Sequence, residues 1–265
     1  MFSGYIKIPE TSSQWILSPK EAKLIKKSRW CVLEKVHGSN FCFIYDIKTK
    51  TMEYAKRKEI LSKDETFFGY KSILKETLPK IEKIVQSVVL RKPDPNSKIC
   101  IYGELFGGLY PHKNVEKNLS ISPVQTGIYY SPNLHFYAFD ISILEADDEQ
   151  YMDYDISLSI FKNSGILYAE PLLIGSYEEA IEFKINFITT IPNKLKLEPI
   201  ENNQAEGIII KPMKEIRINN GKDRAIIKKK ILEFSESKYH DVEKPKKTTD
   251  FDYYDYFLKY EIDNF

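Results

Sequence analysis

Apolar and polar positions along the chain switch irregularly between the two-residue period of strands and the 3.6-residue period of helices. Residues 30–36 (WCVLEKV) and 40–46 (NFCFIYD) read as strands joined by the short turn His37-Gly38-Ser39, and residues 52–57 (MEYAKR) as a third. Between Ser72 and Lys92, Leu74, Leu78, Ile81, Val85 and Val88 recur at helical spacing, which predicts an amphipathic helix. The stretch RKPDPNSK breaks it, and KICIYGELFGG, starting at Lys98, begins a buried strand. Residues 135–141 (HFYAFDI) alternate as another strand. Ser176 with Glu179 forms a capping box ahead of a helix expected to carry Tyr177, Ile181, Ile185 and Ile188 on one face. Two last strands, 206–212 (EGIIIKP) and 224–230 (RAIIKKK), flank the hairpin signal Asn220-Gly221. There is no internal repeat or low-complexity segment.

Composition narrows the class. A chain of 265 residues suits one large domain or two small ones, and 42% hydrophobic with 29% charged residues describes an ordinary globular protein. Lys plus Arg number 39 against 38 Asp plus Glu, a balance of +1 that argues against a polybasic protein but leaves local basic surfaces open. Residues 211–230 hold eight basic residues (Lys211, Lys214, Arg217, Lys222, Arg224, Lys228, Lys229, Lys230) against two acids. Such a stretch could serve phosphate groups such as those of a nucleic-acid backbone. Residues 249–265 carry five acids, one lysine and seven aromatics; Phe251, Tyr254, Leu258, Ile262 and Phe265 fall close to helical spacing and suggest a short helix packed on the rest or a docking segment. Three cysteines without a CxxC pair argue against a disulfide framework and a zinc site. No apolar run reaches the roughly 18 residues of a membrane helix, and the N-terminus lacks a signal or transit pattern, so a cytosolic or nuclear-type compartment and no membrane partner are expected. The 34 lysines against five arginines suggest an AT-rich genome, compatible with a virus, a phage or an AT-rich eukaryote.

Chemistry concentrates in a few segments. Glu34-Lys35-Val36-His37-Gly38-Ser39-Asn40 puts an amine at a strand end beside a glycine turn that something bulky can approach. Taken alone, a lysine before a turn is usually a solvated charge. Further segments sharpen it: Tyr102-Gly103-Glu104-Leu105-Phe106-Gly107-Gly108, Phe139-Asp140, Glu206-Gly207 ahead of three isoleucines, and Lys228 with Lys230 in an otherwise apolar strand. No GxxxxGK[ST] loop, GxSxG elbow or HExxH helix occurs.

In this order, residues from about 30 to about 235 resemble the motifs of the covalent nucleotidyltransferases. KVHGSNF with YGELFGG resembles the RNA ligase 2 group in particular, which includes phage RNA ligases and the kinetoplastid RNA-editing ligases. The DNA ligases and capping enzymes of the superfamily typically have aspartate where this chain has His37, which favours an RNA ligase. The resemblance implies an α+β fold, a nucleotidyltransferase (ligase adenylation) domain of twisted antiparallel sheets with flanking helices, over residues 1–235, with 236–265 a short acidic aromatic appendage. It implies an ATP-dependent RNA ligase: Lys35 takes AMP from ATP, AMP passes to an RNA 5′-phosphate, and a 3′-hydroxyl displaces it, at nicks or bridged breaks.

By the same resemblance Glu104 binds the ribose hydroxyls, Phe139 stacks on adenine, and Glu34 contributes to the adenine pocket through its backbone. His37 and Asn40 line the phosphate side, with His37 mattering most when AMP moves to RNA. Arg57 places the nucleotide and the 3′-hydroxyl strand, Lys228 and Lys230 neutralise phosphate, and Glu206 holds Mg²⁺ or Mn²⁺ through its water shell. A nucleophilic lysine must be neutral, and nearby cations disfavour its charged form. Phage-type relatives carry a further C-terminal domain for nick recognition. Only about 30 residues follow the last motif, so the tail or a protein partner is expected to supply that function. A DNA ligase, a guanylyltransferase using GTP and a non-catalytic RNA-binding module of the same fold are the alternatives.

Overall fold

The computed structural model describes residues 2–146 and 148–234. Met1–Ile231 form one compact unit; of the second, Leu232–Phe265, only a 3-10 turn over Leu232–Phe234 is described. The acidic aromatic segment 249–265 lies outside the described residues.

Helix α1 (Pro19–Lys27) leads into β1 (Trp30–Lys35), β2 (Ser39–Asp46) and β3 (Thr51–Lys56). Helix α2 (Leu74–Val89) is followed by the long strands β4 (Lys98–Leu109) and β5 (Ser131–Glu145), then β6 (Asp148–Tyr151) and α3 (Tyr154–Ser164). Strand β7 (Pro171–Gly175) and the short helices α4 (Tyr177–Ile181) and α5 (Ile191–Lys194) precede β8 (Gly207–Pro212). A ribbon of β9 (Arg217–Ile218) and β10 (Asp223–Arg224) then leads to β11 (Ile227–Lys230).

Two antiparallel sheets result, one ordered β3-β2-β4-β5-β6 and the other β11-β8-β1-β7. Alternation assigns their faces. In the five-stranded sheet Phe41, Phe43, Ile99, Ile101, Phe136 and Ala138 pack against Ile81, Ile84, Val85 and Val88 of α2 and Ile160 and Phe161 of α3. Each of these side chains other than Ala138 contributes roughly 1.5–3 kcal/mol on burial. The opposite face carries Cys42, Ile44, Cys100 and Tyr102 with Tyr5 of the N-terminal segment. In the four-stranded sheet Trp30, Val32, Ile208, Ile210 and Ile227 pack outward with Ile25 of α1 and Ala180 of α4. Its inner face looks at the first sheet, because Lys211 Nζ on β8 donates to Phe139 O (2.9 Å) and Asp140 Oδ1 (2.7 Å) on β5.

That crossing is a buried ionic cluster. Arg224 donates to Asp140 Oδ2 (2.9 Å) and bidentately to Glu215 (2.7 and 2.8 Å), and the Tyr5 hydroxyl donates to Asp140 (2.5 Å). Lys211 Nζ and the Arg224 guanidinium each lie 3.6 Å from a ring centroid, those of Tyr154 and Tyr151. The N-terminal segment closes one side of the space between the sheets: Tyr5 N–H donates to Arg57 O (3.0 Å), and Lys228 N–H to Pro9 O (2.9 Å).

Three sequence expectations change. The capping box at Ser176 and Glu179 forms, but its helix ends at Ile181. Phe183, Ile185 and Phe187 instead alternate with exposed residues and pack on the outer cluster, so the two-residue period prevails and Ile188 faces outward. Asn220-Gly221 sits in the turn between β9 and β10, a small ribbon within the connection that pairs β8 with β11. Of the eight basic residues in 211–230, Lys211 and Arg224 are spent inside the Asp140 cluster, and Lys229 reaches the Ile181 carbonyl.

Candidate active site

Register builds the site. Lys35, the last residue of β1, pairs with Gly207 at the start of β8, and Lys230 on β11 pairs with Gly207 from the other side. Gly207 has φ +151°, and a Cβ there would run into the Lys229 carbonyl oxygen, so only glycine lets the three strands meet. Its neighbour Glu206, 2% exposed, thereby comes between two lysines. Lys35 Nζ lies 2.6 Å from Glu206 Oε2, His37 Nδ1 is 3.4 Å from the same oxygen, and Lys230 Nζ is 3.5 Å from Oε1. Burial alone would raise the Glu206 pKa, but the His37 hydrogen bond and the Lys35 charge outweigh it and hold the carboxyl at about 2.

Strands β2 and β4 supply the opposite wall, where Asn40 pairs with Glu104. Burial pushes the Glu104 carboxyl up to about 7; the Glu206 charge adds to this, and Lys35, the Gly38 N–H and Arg57 offset it only in part. Asn40 Oδ1 is buried without a partner among the described residues. An orphaned carbonyl oxygen on the residue paired with Glu104 suits a hard cation and polyphosphate. Among the described residues no three His, Cys, Asp or Glu side chains cluster as a protein-only metal cage. The donor set therefore fits Mg²⁺ held partly by water and phosphate, with Glu206 and Asn40 the residues nearest that role.

The remaining expected residues lie around this centre. Tyr102 pairs with Asp140 and Gly103 with Ala138, so Phe139 is the extra residue of a β-bulge, a device that re-aims a side chain. Its half-buried ring packs edge-on against Tyr5, centroids 5.1 Å apart. Arg57 is exposed just beyond β3. Lys228 Nζ lies 3.8 Å from Glu10 Oε1 of the N-terminal segment. Glu34 turns its carboxylate away from Lys35, accepting from the hydroxyls of Thr189 and Thr190 and from Thr190 N–H (2.9 Å), and burial raises its pKa.

Several supports were not visible in the sequence. Tyr130 and Gln125 hold the turn after Lys35, and Tyr5 anchors the N-terminal segment; they lie in irregular stretches where no period marks them. No described helix is long and apolar enough to cross a membrane.

Paired antiparallel sheets bring a lysine, two glutamates and a second lysine to one place. Residues 28–230 match the model of the RNA ligase family. The chain is 35% identical over 230 residues to mitochondrial RNA-editing ligase 2 of Trypanosoma brucei brucei, covering 80% of this chain and 55% of that protein. It is 31% identical over 277 aligned positions to mitochondrial RNA-editing ligase 1 of the same organism, covering 94% and 58%. The chain belongs to the RNA ligase family. It spans little more than half the length of these relatives. Two solved structures of Naegleria gruberi RNA ligase variants with ATP and Mn share the fold at TM-scores of 0.52 and 0.55, with 15% and 14% identity, over 87% and 91% of this chain and 56% and 58% of theirs.

Proposed function

We propose that this chain carries out the adenylylation chemistry of an ATP-dependent RNA ligase, with residues 1–235 as the adenylylating domain. The observation that carries the reading is Glu206 held between Lys35, His37 and Lys230, facing Glu104 and Asn40. Lys35 Nζ, once deprotonated, attacks the α-phosphate of ATP; a P–N bond forms, the bond to the bridging oxygen breaks, and pyrophosphate leaves. Lys230 and Lys228 neutralise phosphate charge as it develops. Glu104 accepts hydrogen bonds from the ribose hydroxyls, Phe139 stacks on adenine, and Asn40 and His37 face the phosphates. Glu34 offers only its backbone, since its carboxylate is fully hydrogen-bonded elsewhere. A divalent ion bound through water near Glu206 supplies charge neutralisation on the triphosphate.

AMP then passes to an RNA 5′-phosphate, and a 3′-hydroxyl, placed with the help of Arg57, displaces it to make the phosphodiester. The substrate is RNA with 5′-phosphate and 3′-hydroxyl ends at nicks or bridged breaks, and a protein partner that supplies nick recognition belongs to the same proposal. So does a cytosolic or nuclear-type compartment, set beside relatives named mitochondrial. Incubation with labelled ATP or GTP, followed by nicked duplexes with RNA or DNA ends, tests it. Labelling by ATP and sealing of RNA ends support the reading; labelling by GTP alone, or sealing only of DNA ends, would replace it with a capping enzyme or a DNA ligase.

A further inference from the structure

The turn Val36-His37-Gly38 joins the nucleophile strand to the strand bearing Asn40, and its backbone is held from outside the motif segments. Tyr130, 2% exposed, accepts the His37 N–H at its phenol oxygen (2.8 Å). Gln125 Nε2 donates to Gly38 O (3.3 Å), and the Gly38 N–H reaches the Glu104 carboxylate. A Cβ on Gly38 would run into the Leu105 carbonyl oxygen, so the turn is pressed against β4.

Tyr130 is itself fixed. Its ring packs edge-on against Phe106, centroids 5.2 Å apart. The preceding residue is clamped by Asn203, whose Oδ1 accepts the Tyr129 N–H (3.0 Å) and whose Nδ2 donates to Tyr129 O (2.6 Å). Asn203 lies three residues before Glu206, and Glu206 closes the circuit through His37 and Lys35. One connected set of contacts thus runs from the segment bearing Asn203 and Glu206, through 129–130, to the turn that follows the nucleophile.

We propose that Tyr130 is a positioning residue for adenylylation, its hydroxyl setting the His37-Gly38 turn and with it the presentation of Lys35 and His37. Gln125 is the weaker second strut on the same turn. The inference rests on the reading of the site as adenylylating. It assigns Tyr130 no contact with ATP, so removal of the hydroxyl is expected to slow the chemical step and leave nucleotide binding nearly unchanged.

The test is the single-turnover rate of lysyl-AMP formation against ATP concentration, with a thermal melt, for the wild type, Tyr130→Phe and Gln125→Ala. Tyr130→Phe keeps the ring and its packing; its maximal rate is expected to fall about tenfold with the ATP concentration at half-saturation within about twofold. Gln125 is exposed, so Gln125→Ala keeps the fold, and a smaller loss of the same kind is expected. Wild-type kinetics in a folded Tyr130→Phe protein, or a loss seen only as weaker ATP binding, would overturn the inference. If Tyr130→Phe fails to fold, wild-type kinetics in Gln125→Ala would overturn it instead. No adduct on the wild-type chain would overturn the reading of the site and this inference with it, a result distinct from the others.

Discussion

The Lys35 ammonium rests 2.6 Å from Glu206 Oε2, and that one carboxylate also faces His37 and Lys230. In this arrangement Glu206 balances the positive charge of Lys35 and Lys230. Glu206→Gln keeps the volume and removes the charge. Lysyl-AMP formation is expected to fall about 100-fold or more, measured by single-turnover labelling at saturating ATP. A rate within a few fold of wild type would remove Glu206 from the mechanism.

Glu104 separates stability from function. Its carboxyl, raised from 4.5 to about 7 mainly by burial, is harder to ionise folded than unfolded. The folded state therefore binds the extra proton between these values, and Glu104 costs stability progressively as pH rises from 4.5 to 7. Glu104→Gln is expected to raise the melting temperature at pH 8 more than at pH 5 while weakening ATP binding about tenfold or more. A variant less stable than wild type at pH 8 would contradict the raised carboxyl.

Asp140 has the opposite sign. Burial opposes its charge, but Arg224 and Lys211 hold it down, from 3.8 to about 2. Its contribution is fully present above 3.8 and is lost as pH falls through about 2, a span worth about 2 kcal/mol. Asp140→Asn is expected to flatten the acid limb of the stability curve. It also leaves Lys211 and Arg224 buried against a neutral group, with a loss at pH 7 of about 3–5 kcal/mol by urea unfolding.

Gly38 tests the turn sterically. Gly38→Ala places a methyl against the Leu105 carbonyl oxygen and Glu104 Cγ, so β2 and β4 must part next to the site. Lysyl-AMP formation is expected to drop at least about tenfold with a melting temperature lowered by several degrees.

Much of this site was legible because strand register does the assembling. Lys35, Lys228 and Lys230 sit on β1 and β11, Glu206 just before β8, and Asn40 and Glu104 on β2 and β4; short apolar runs with fixed period revealed those strands. The Phe139 bulge was not legible, since an extra residue leaves the composition of HFYAFDI unchanged. The segment after Ile181 was misread because Ile181, Ile185 and Ile188 satisfy a helical spacing, while Phe183, Ile185 and Phe187 satisfy a strand spacing and win by packing on the outer cluster. The capping box Ser18–Glu21 with Pro19 at the first turn marks α1 plainly in the sequence. The internal fate of Lys211 and Arg224 depended on Asp140, 71 and 84 residues away, which no local charge count reveals.

The most direct measurement is mass spectrometry of the chain after incubation with Mg²⁺ and ATP, followed by peptide mapping. The account predicts an acid-labile AMP on Lys35 in the wild type and none on Lys35→Ala. An adduct on another residue, or one retained by Lys35→Ala, would contradict it.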